Sequence, residues 1–264
     1  MPPLKRMVFL GHYEEANLDT LRYLSLHDNH YVRYFKGHKK QVISLEISPT
    51  DEQFLSAGLD DTVRLWNMNS SNCQGCLNVP SPSLAAFDPT GIIFAVVSHP
   101  LSTLMLYDLR NYDKEPFSVF PIQDDAYLQT ITYPPRMPEF SKLEFSNDGR
   151  SILVGTSGGV HYVLDAFHGG INARLVDHVP NPQSGLTSGD VCFTPDGKLV
   201  IGGSGDNKIA IWDIQQPPRE KSVSPVHKLD AKGFGTPSVV AINPRSALLA
   251  TASTELVLSV CTSC

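Results

Sequence analysis

Nowhere does this chain stay apolar for the ~18 residues that a membrane-crossing helix requires, and it has no excess of positive charge. Its 21 Lys and Arg are outnumbered by 27 Asp and Glu, for a formal net charge of −6. A broadly basic surface that would hold nucleic acid directly is therefore not expected. Cysteine is scarce, with five in 264 residues. A small odd number points to a reducing compartment rather than a disulfide framework. Lys5 and Arg6 are followed by only a short apolar run, which does not make a secretory signal. The sequon-like Asn69-Ser70-Ser71 carries no meaning in an intracellular protein.

The constellations of an enzyme are missing too. No glycine-rich phosphate loop and no metal quartet stand out. Asp60-Asp61 and Asp124-Asp125 are adjacent pairs, and neighbours on a strand point to opposite faces, so neither makes an acid–base couple. Cys73/Cys76 and Cys261/Cys264 form two Cys-x-x-Cys pairs. They are far apart in the chain and lack the usual spacing of a structural zinc site. No cofactor, no metal and no catalytic activity are expected.

What is present is clearest between Gly37 and Asn67, GHKKQVISLEISPTDEQFLSAGLDDTVRLWN. Val42 to Ile47 alternates with period two and stops at Ser-Pro-Thr-Asp, which reads as a strand and a turn. Phe54 to Ala57 is a second strand, Gly58 to Asp61 a tight turn, and Thr62 to Trp66 a third strand rich in β-branched and aromatic residues. Gly-His at the start and Trp-Asn at the end complete one WD-repeat blade, a unit of ~40–45 residues. His38, Ser56 and Asp60 admit a catalytic-triad reading. The preferred reading is a buried hydrogen-bond network in which Asp60 holds His38, His38 holds Ser56, and Ser56 meets the Trp66 indole. A serine hydrolase would want a Gly-x-Ser-x-Gly elbow, and the nearest match, Gly202 to Asp206, fails at its fifth position.

The unit recurs. Positions equivalent to Trp66 fall at Leu24, Tyr107, Leu164, Trp212 and about Leu258, and first-strand exits recur as EISPTDE, AFDPTGI, EFSNDGR, CFTPDGK and AINPRSA. One interval, between Tyr107 and Leu164, is long and carries an insertion from roughly Gln123 to Pro138, rich in Pro and Tyr. The fold class is therefore all-β, a WD-repeat propeller, with about five blades plus a partial one. Thr20 to Phe35 supplies two strands of that partial blade, and residues 1–19 supply at most one, Met7 to Leu10. Residues 1–18 are read as a divergent N-terminal segment and 19–264 as an incomplete propeller whose N-terminal blades are missing or replaced.

Propellers capture peptides where loops enter each first strand and where the turn precedes the blade Asp. Those positions are Gln41, Ile43, Leu59, Ser83, Glu139, Ser141, Thr187 and Ser238. Ile43 and Leu59 are large enough to act as exposed anchors. A basic run of Arg33, Lys36, Lys39 and Lys40, interleaved with aromatics, is a candidate patch for a phosphorylated peptide.

Several stretches are more specific than a generic repeat: DTLRYLSLHDNHYVRYFKGH (Asp19 to His38), NCQG (Asn72 to Gly75), AAFDPTGIIFA, LYDLRNYDKEPF, KLEFSNDGRSIL and LDAFHG. They resemble the family of WD repeat-containing protein 82 and yeast Swd-two, the WD-repeat subunit of COMPASS-type histone methyltransferase complexes. The resemblance covers most of residues 19–250. It implies a seven-bladed propeller and a non-catalytic nuclear adaptor. The partners it implies are a SET-domain enzyme that methylates lysine-four of a core histone, other COMPASS subunits, and the phosphorylated tail of RNA polymerase II. The alternative it implies is an adaptor of the mRNA cleavage and polyadenylation machinery or of a nuclear phosphatase complex. Two stretches depart from the family: MPPLKRMVFLGHYEEAN at the start and LVLSVCTSC at the end.

Overall fold

The computed structural model describes residues 7–8, 20–180, 191–231, 235–243, 248–253 and 256–260, with backbone alone at 7–8 and 257–260. Among these residues the strands form six sheets in chain order. The first holds β1 (Met7–Val8), β2 (Thr20–Ser25) and β3 (His30–Lys36). The second is β4 (Val42–Ile47), β5 (Gln53–Gly58), β6 (Thr62–Asn67) and β7 (Cys73–Asn78). The third is β8 (Ser83–Phe87), β9 (Ile93–Ser98), β10 (Thr103–Asp108) and β11 (Ser118–Pro121). After a short helix, α1 (Asp125–Ile131), the fourth runs β12 (Phe140–Phe145), β13 (Ser151–Thr156), β14 (His161–Asp165) and β15 (Ile171–Leu175). The fifth is β16 (Val191–Phe193), β17 (Leu199–Ser204), β18 (Lys208–Asp213) and β20 (His227–Asp230). Before β20 the chain leaves this sheet as β19 (Ser222–Val223), which pairs in parallel with β15 of the fourth. The sixth is β21 (Val239–Ile242), β22 (Leu248–Ala252) and β23 (Leu256–Val260). All other pairings are antiparallel meanders, the architecture of propeller blades.

Strands form where β-branched and aromatic residues alternate, and they stop at one recurring turn. Ser48, Asp88, Ser146 and Thr194 each place a side-chain oxygen where the turn's backbone N–H groups donate to it: Asp51, Ile93, Ser151 and Leu199 are among the donors. Such side-chain-to-backbone bonds favour turns over continued strand. In three of these turns Gly91, Gly149 and Gly197 take φ of 70°, 70° and 68°, a left-handed conformation that costs glycine little.

Sheets stack face to face through separate apolar clusters. Leu21, Tyr23 and Phe35 of the first sheet meet Phe54 and Trp66 of the second. Leu55, Val63 and Leu65 meet Phe87, Phe94 and Tyr107. Leu153, Val163 and Leu175 meet Val200 and Trp212, and Ile201 and Ile209 meet Val240. The insertion is not irregular throughout. Its helix buries Leu128, and Asp124 just before it accepts two charge-assisted hydrogen bonds from Arg174 of β15, one of them 2.6 Å from Nη2. Among the described residues, no helix is long and apolar enough to cross a membrane.

Candidate functional site

One end of the stack is built from the loops that enter β4, β8, β12 and β16 and from the turns between the second and third strands. Hydrogen bonds tie each turn to the loop beside it: Leu59 N to Gln41 O at 2.8 Å, His99 N to Pro82 O at 3.1 Å, Ser157 N to Glu139 O at 2.9 Å, and Gly205 N to Val179 O at 2.8 Å. Each pairing holds an entry loop against the turn of its own blade.

Beneath this end lies the network of the second blade. His38 Nδ1 is 3.0 Å from Asp60 Oδ1, and His38 Nε2 is 2.7 Å from Ser56 Oγ. Trp66 Nε1 donates to the same Ser56 Oγ at 2.8 Å. Lys39 N and Thr62 Oγ1 donate to the Asp60 carboxylate at 2.8 Å each. Burial works against ionisation of Asp60, but the Lys39 N–H, His38 and Thr62 outweigh it and hold the carboxyl at about 2. Ser56 and Trp66 are fully buried and His38 nearly so. Ser56 Oγ, engaged by both the indole and the imidazole, has no open approach for a substrate. The arrangement ties two strands, a turn and the incoming loop together.

The fifth blade does without this network. Register aligns Trp212 with Val200 as it aligns Trp66 with Phe54, so Gly202 stands where the second blade has Ser56. Trp212 Nε1 donates instead to Val176 O at 3.0 Å. Its ring meets a stacked pair of imidazoles, His161 and His178, whose centroids are 4.3 Å apart. Burial pushes His161 down to about 3, and its Nδ1 accepts the Thr156 N–H at 3.0 Å.

The expected partner-binding positions separate. Gln41 and Glu139 are exposed, and Leu59 and Ser238 are half-buried. Ile43, Ser83 and Ser141 are not surface residues: their exposures are 6%, 1% and 4%. Ile43 packs with Leu84, Leu143 and Val154 in the apolar cluster shared by the second, third and fourth sheets. These strands have a blade on each side, so both of their faces are covered and alternation no longer tells inside from outside. Thr187 lies outside the described residues, as do Cys261 and Cys264.

The basic patch also divides. Lys36 and Arg33 are three residues apart on β3 and so point to opposite faces. Lys39 and Lys40 are exposed on the loop beside Asp60 and Asp61. Arg33 borders a groove of about 640 Å³ closed on its other side by the Asn69–Asn72 turn. On the opposite face of the sheet, the Arg22 guanidinium sits 5.6 Å from the Tyr31 ring and 6.0 Å from Tyr34. A bulge at Val32 puts both tyrosines on that face.

Three features escape the motif reading. Leu101 is 50% exposed in the β9–β10 turn, where Ser102 takes the positive φ that Asp61 takes in the second blade. It therefore occupies the Asp60 position, which alignment of the two turns reveals. Tyr133 is 93% exposed on the insertion. Between β4, β8 and β12 is a cavity of about 220 Å³, bordered by Glu46 and Lys142. Burial pushes the Glu46 carboxyl up to about 7, against Lys142 and with help from Glu144.

Comparison with known proteins places these features in context. The family model for the WD domain, G-beta repeat, matches residues 29–67 and 181–213. An uncharacterised WD repeat-containing protein of Schizosaccharomyces pombe is 43% identical over 90% of this chain and 71% of its own length. WD repeat-containing protein 82 of Drosophila melanogaster is 39% identical over 90% of this chain and 69% of its own length. The COMPASS component SWD2 of Saccharomyces cerevisiae is 35% identical over 88% of this chain and 68% of its own length.

Proposed function

The chain belongs to the family of WD repeat-containing protein 82 and SWD2, and from that membership we propose that it is a non-catalytic WD-repeat adaptor of a COMPASS-type histone methyltransferase complex. The observation that carries this reading is identity of 35–39% with those named relatives, sustained over 88–90% of the chain. A nuclear, chromatin-associated location follows from the same reading. The geometry agrees with an adaptor: the triad-like set of His38, Ser56 and Asp60 is a closed, buried network, and the end of the strands above it presents loop and turn residues suited to contact.

On this reading the SET-domain subunit and its companions dock on the face of Gln41, Leu59, Glu139 and Leu101. The link to transcribing RNA polymerase II runs through Arg33, which makes no ion pair with a described residue and borders a groove large enough for an extended phosphorylated segment. Co-elution tests the first part. The purified chain mixed with the SET-domain subunit and its partners runs as one species in gel filtration, and Gln41→Ala/Glu139→Ala weakens that assembly without changing thermal stability. Separate elution of the wild-type chain overturns the proposal. For the second part, a serine-phosphorylated peptide binds and its unphosphorylated form does not. Arg33→Ala abolishes the difference while Lys36→Ala, on the other face of the strand, leaves it.

A further inference from the structure

The fifth blade sends a strap across the edge of the fourth. β19 adds in parallel to β15, with Arg174 N donating to Lys221 O at 2.6 Å and Val176 N donating to Val223 O at 3.0 Å. Val223 is buried against that junction. The strap thus covers two backbone donors that the outer edge of the fourth blade would otherwise expose. The next residue, Ser224, is exposed, and its hydroxyl donates to Asp177 Oδ2 at 2.5 Å.

Ser224 is followed by Pro225. Five Ser-Pro or Thr-Pro pairs occur in the chain, at Ser48, Ser81, Thr194, Ser224 and Thr236. Ser48 is buried, Ser81, Thr194 and Thr236 are half-buried, and Ser224 is exposed. It also lies in a segment rich in Lys and Arg, with Arg219 and Lys221 before it and Lys228 after it.

We propose that Ser224 is a phosphorylation site for a proline-directed serine/threonine kinase, and that the modification releases the strap from the fourth blade. The kinase transfers the γ-phosphoryl group of magnesium-bound ATP: the Ser224 Oγ–P bond forms, the β,γ-bridging P–O bond breaks, ADP leaves, and the hydroxyl proton passes to the kinase's base. The hydroxyl that donated to Asp177 becomes a phosphate of ≈ −1.5 to −2 charge against that carboxylate. Lys228 holds its Nζ on the Asp177 carbonyl oxygen at 2.5 Å and makes no ion pair with the Asp177 carboxylate. Arg174 is committed to Asp124 and to the Glu220 carbonyl. Repulsion therefore acts at the point that fastens β19, and its loss uncovers the β15 edge for pairing with another strand.

The test begins with the full chain incubated with such a kinase and magnesium ATP, with sites read by mass spectrometry. Phosphate at Ser224 is expected, and its absence there overturns the site. Hydrogen exchange of the modified chain then reports the strap. The Arg174 and Val176 amides should exchange about tenfold or more faster, while β13 and β14 stay protected. Unchanged protection at both amides overturns the release. Asp177 has φ of 61°, which asparagine tolerates, so Asp177→Asn keeps the backbone and removes the repelling charge. The phosphorylated variant should retain protection; equal deprotection would contradict the charge mechanism.

Discussion

Ser56 Oγ takes part in two hydrogen bonds in a fully buried place, and that makes it the residue whose loss is felt most cleanly. Ser56→Ala leaves the Trp66 indole N–H without its acceptor and takes the hydroxyl away from His38 Nε2, at a cost of about 2–3 kcal/mol, measurable by urea unfolding. Equal stability of variant and wild type would show the network to be dispensable. Ile43→Asp is predicted to unfold the second blade, with a loss above about 3 kcal/mol, because it puts a carboxylate into the apolar cluster of Leu84, Leu143 and Val154. Glu46 gives a pH-dependent test. Its folded value is about 7 against an ordinary 4.5, so between those values the folded chain keeps a proton that the unfolded chain has lost. Raising pH through that window therefore strips stability from the wild type and not from Glu46→Gln. The stability of the variant relative to wild type should rise by about 1–3 kcal/mol from pH 4.5 to 8, and a flat difference would contradict the burial of this carboxyl. At this scale the sequence was readable where a motif fixes chemistry by spacing, as with His38, Asp60 and Trp66. It misled at Ile43, where β4 bulges between Val42 and Ser44 and neighbouring blades cover both faces.

Elements were legible in proportion to the length of their signal. The recurring exit turns located the first strands, and the Trp66-like positions the third strands, of most blades. The insertion showed itself as excess length, but its helix did not: Asp125–Ile131 is seven residues, too short for a 3.6-residue period to declare itself. Nor did sequence announce that Asp124, half of an adjacent acidic pair, reaches across to Arg174, because that contact joins residues fifty apart. This ion pair is the anchor of the insertion. Asp124→Ala leaves the half-buried Arg174 guanidinium without its counter-charge, a loss of about 1–3 kcal/mol, and calorimetry should show it together with faster exchange in α1. Preserved protection of α1 would mean that apolar packing of Leu128 and Tyr127 holds the helix without the ion pair. The strap β19 was likewise invisible, since a two-residue parallel pairing has no pattern of its own.

The described residues form a row of sheets stacked through apolar clusters, one of them shared by the second, third and fourth sheets, with the first-strand entry loops and the second-to-third-strand turns at one end. Repetition made that architecture readable, and the RYLSLHDN and NCQG stretches narrowed it to one family of adaptors. The contact face was legible only in part, because which loop residues stay exposed depends on how neighbouring blades cover one another. Affinity purification of the tagged full chain from cells that make it, with mass spectrometry of what co-purifies, tests the central claim most directly. The account predicts a SET-domain methyltransferase and other COMPASS subunits in amounts comparable to the chain itself. Recovery of polyadenylation or phosphatase subunits with no methyltransferase would contradict it.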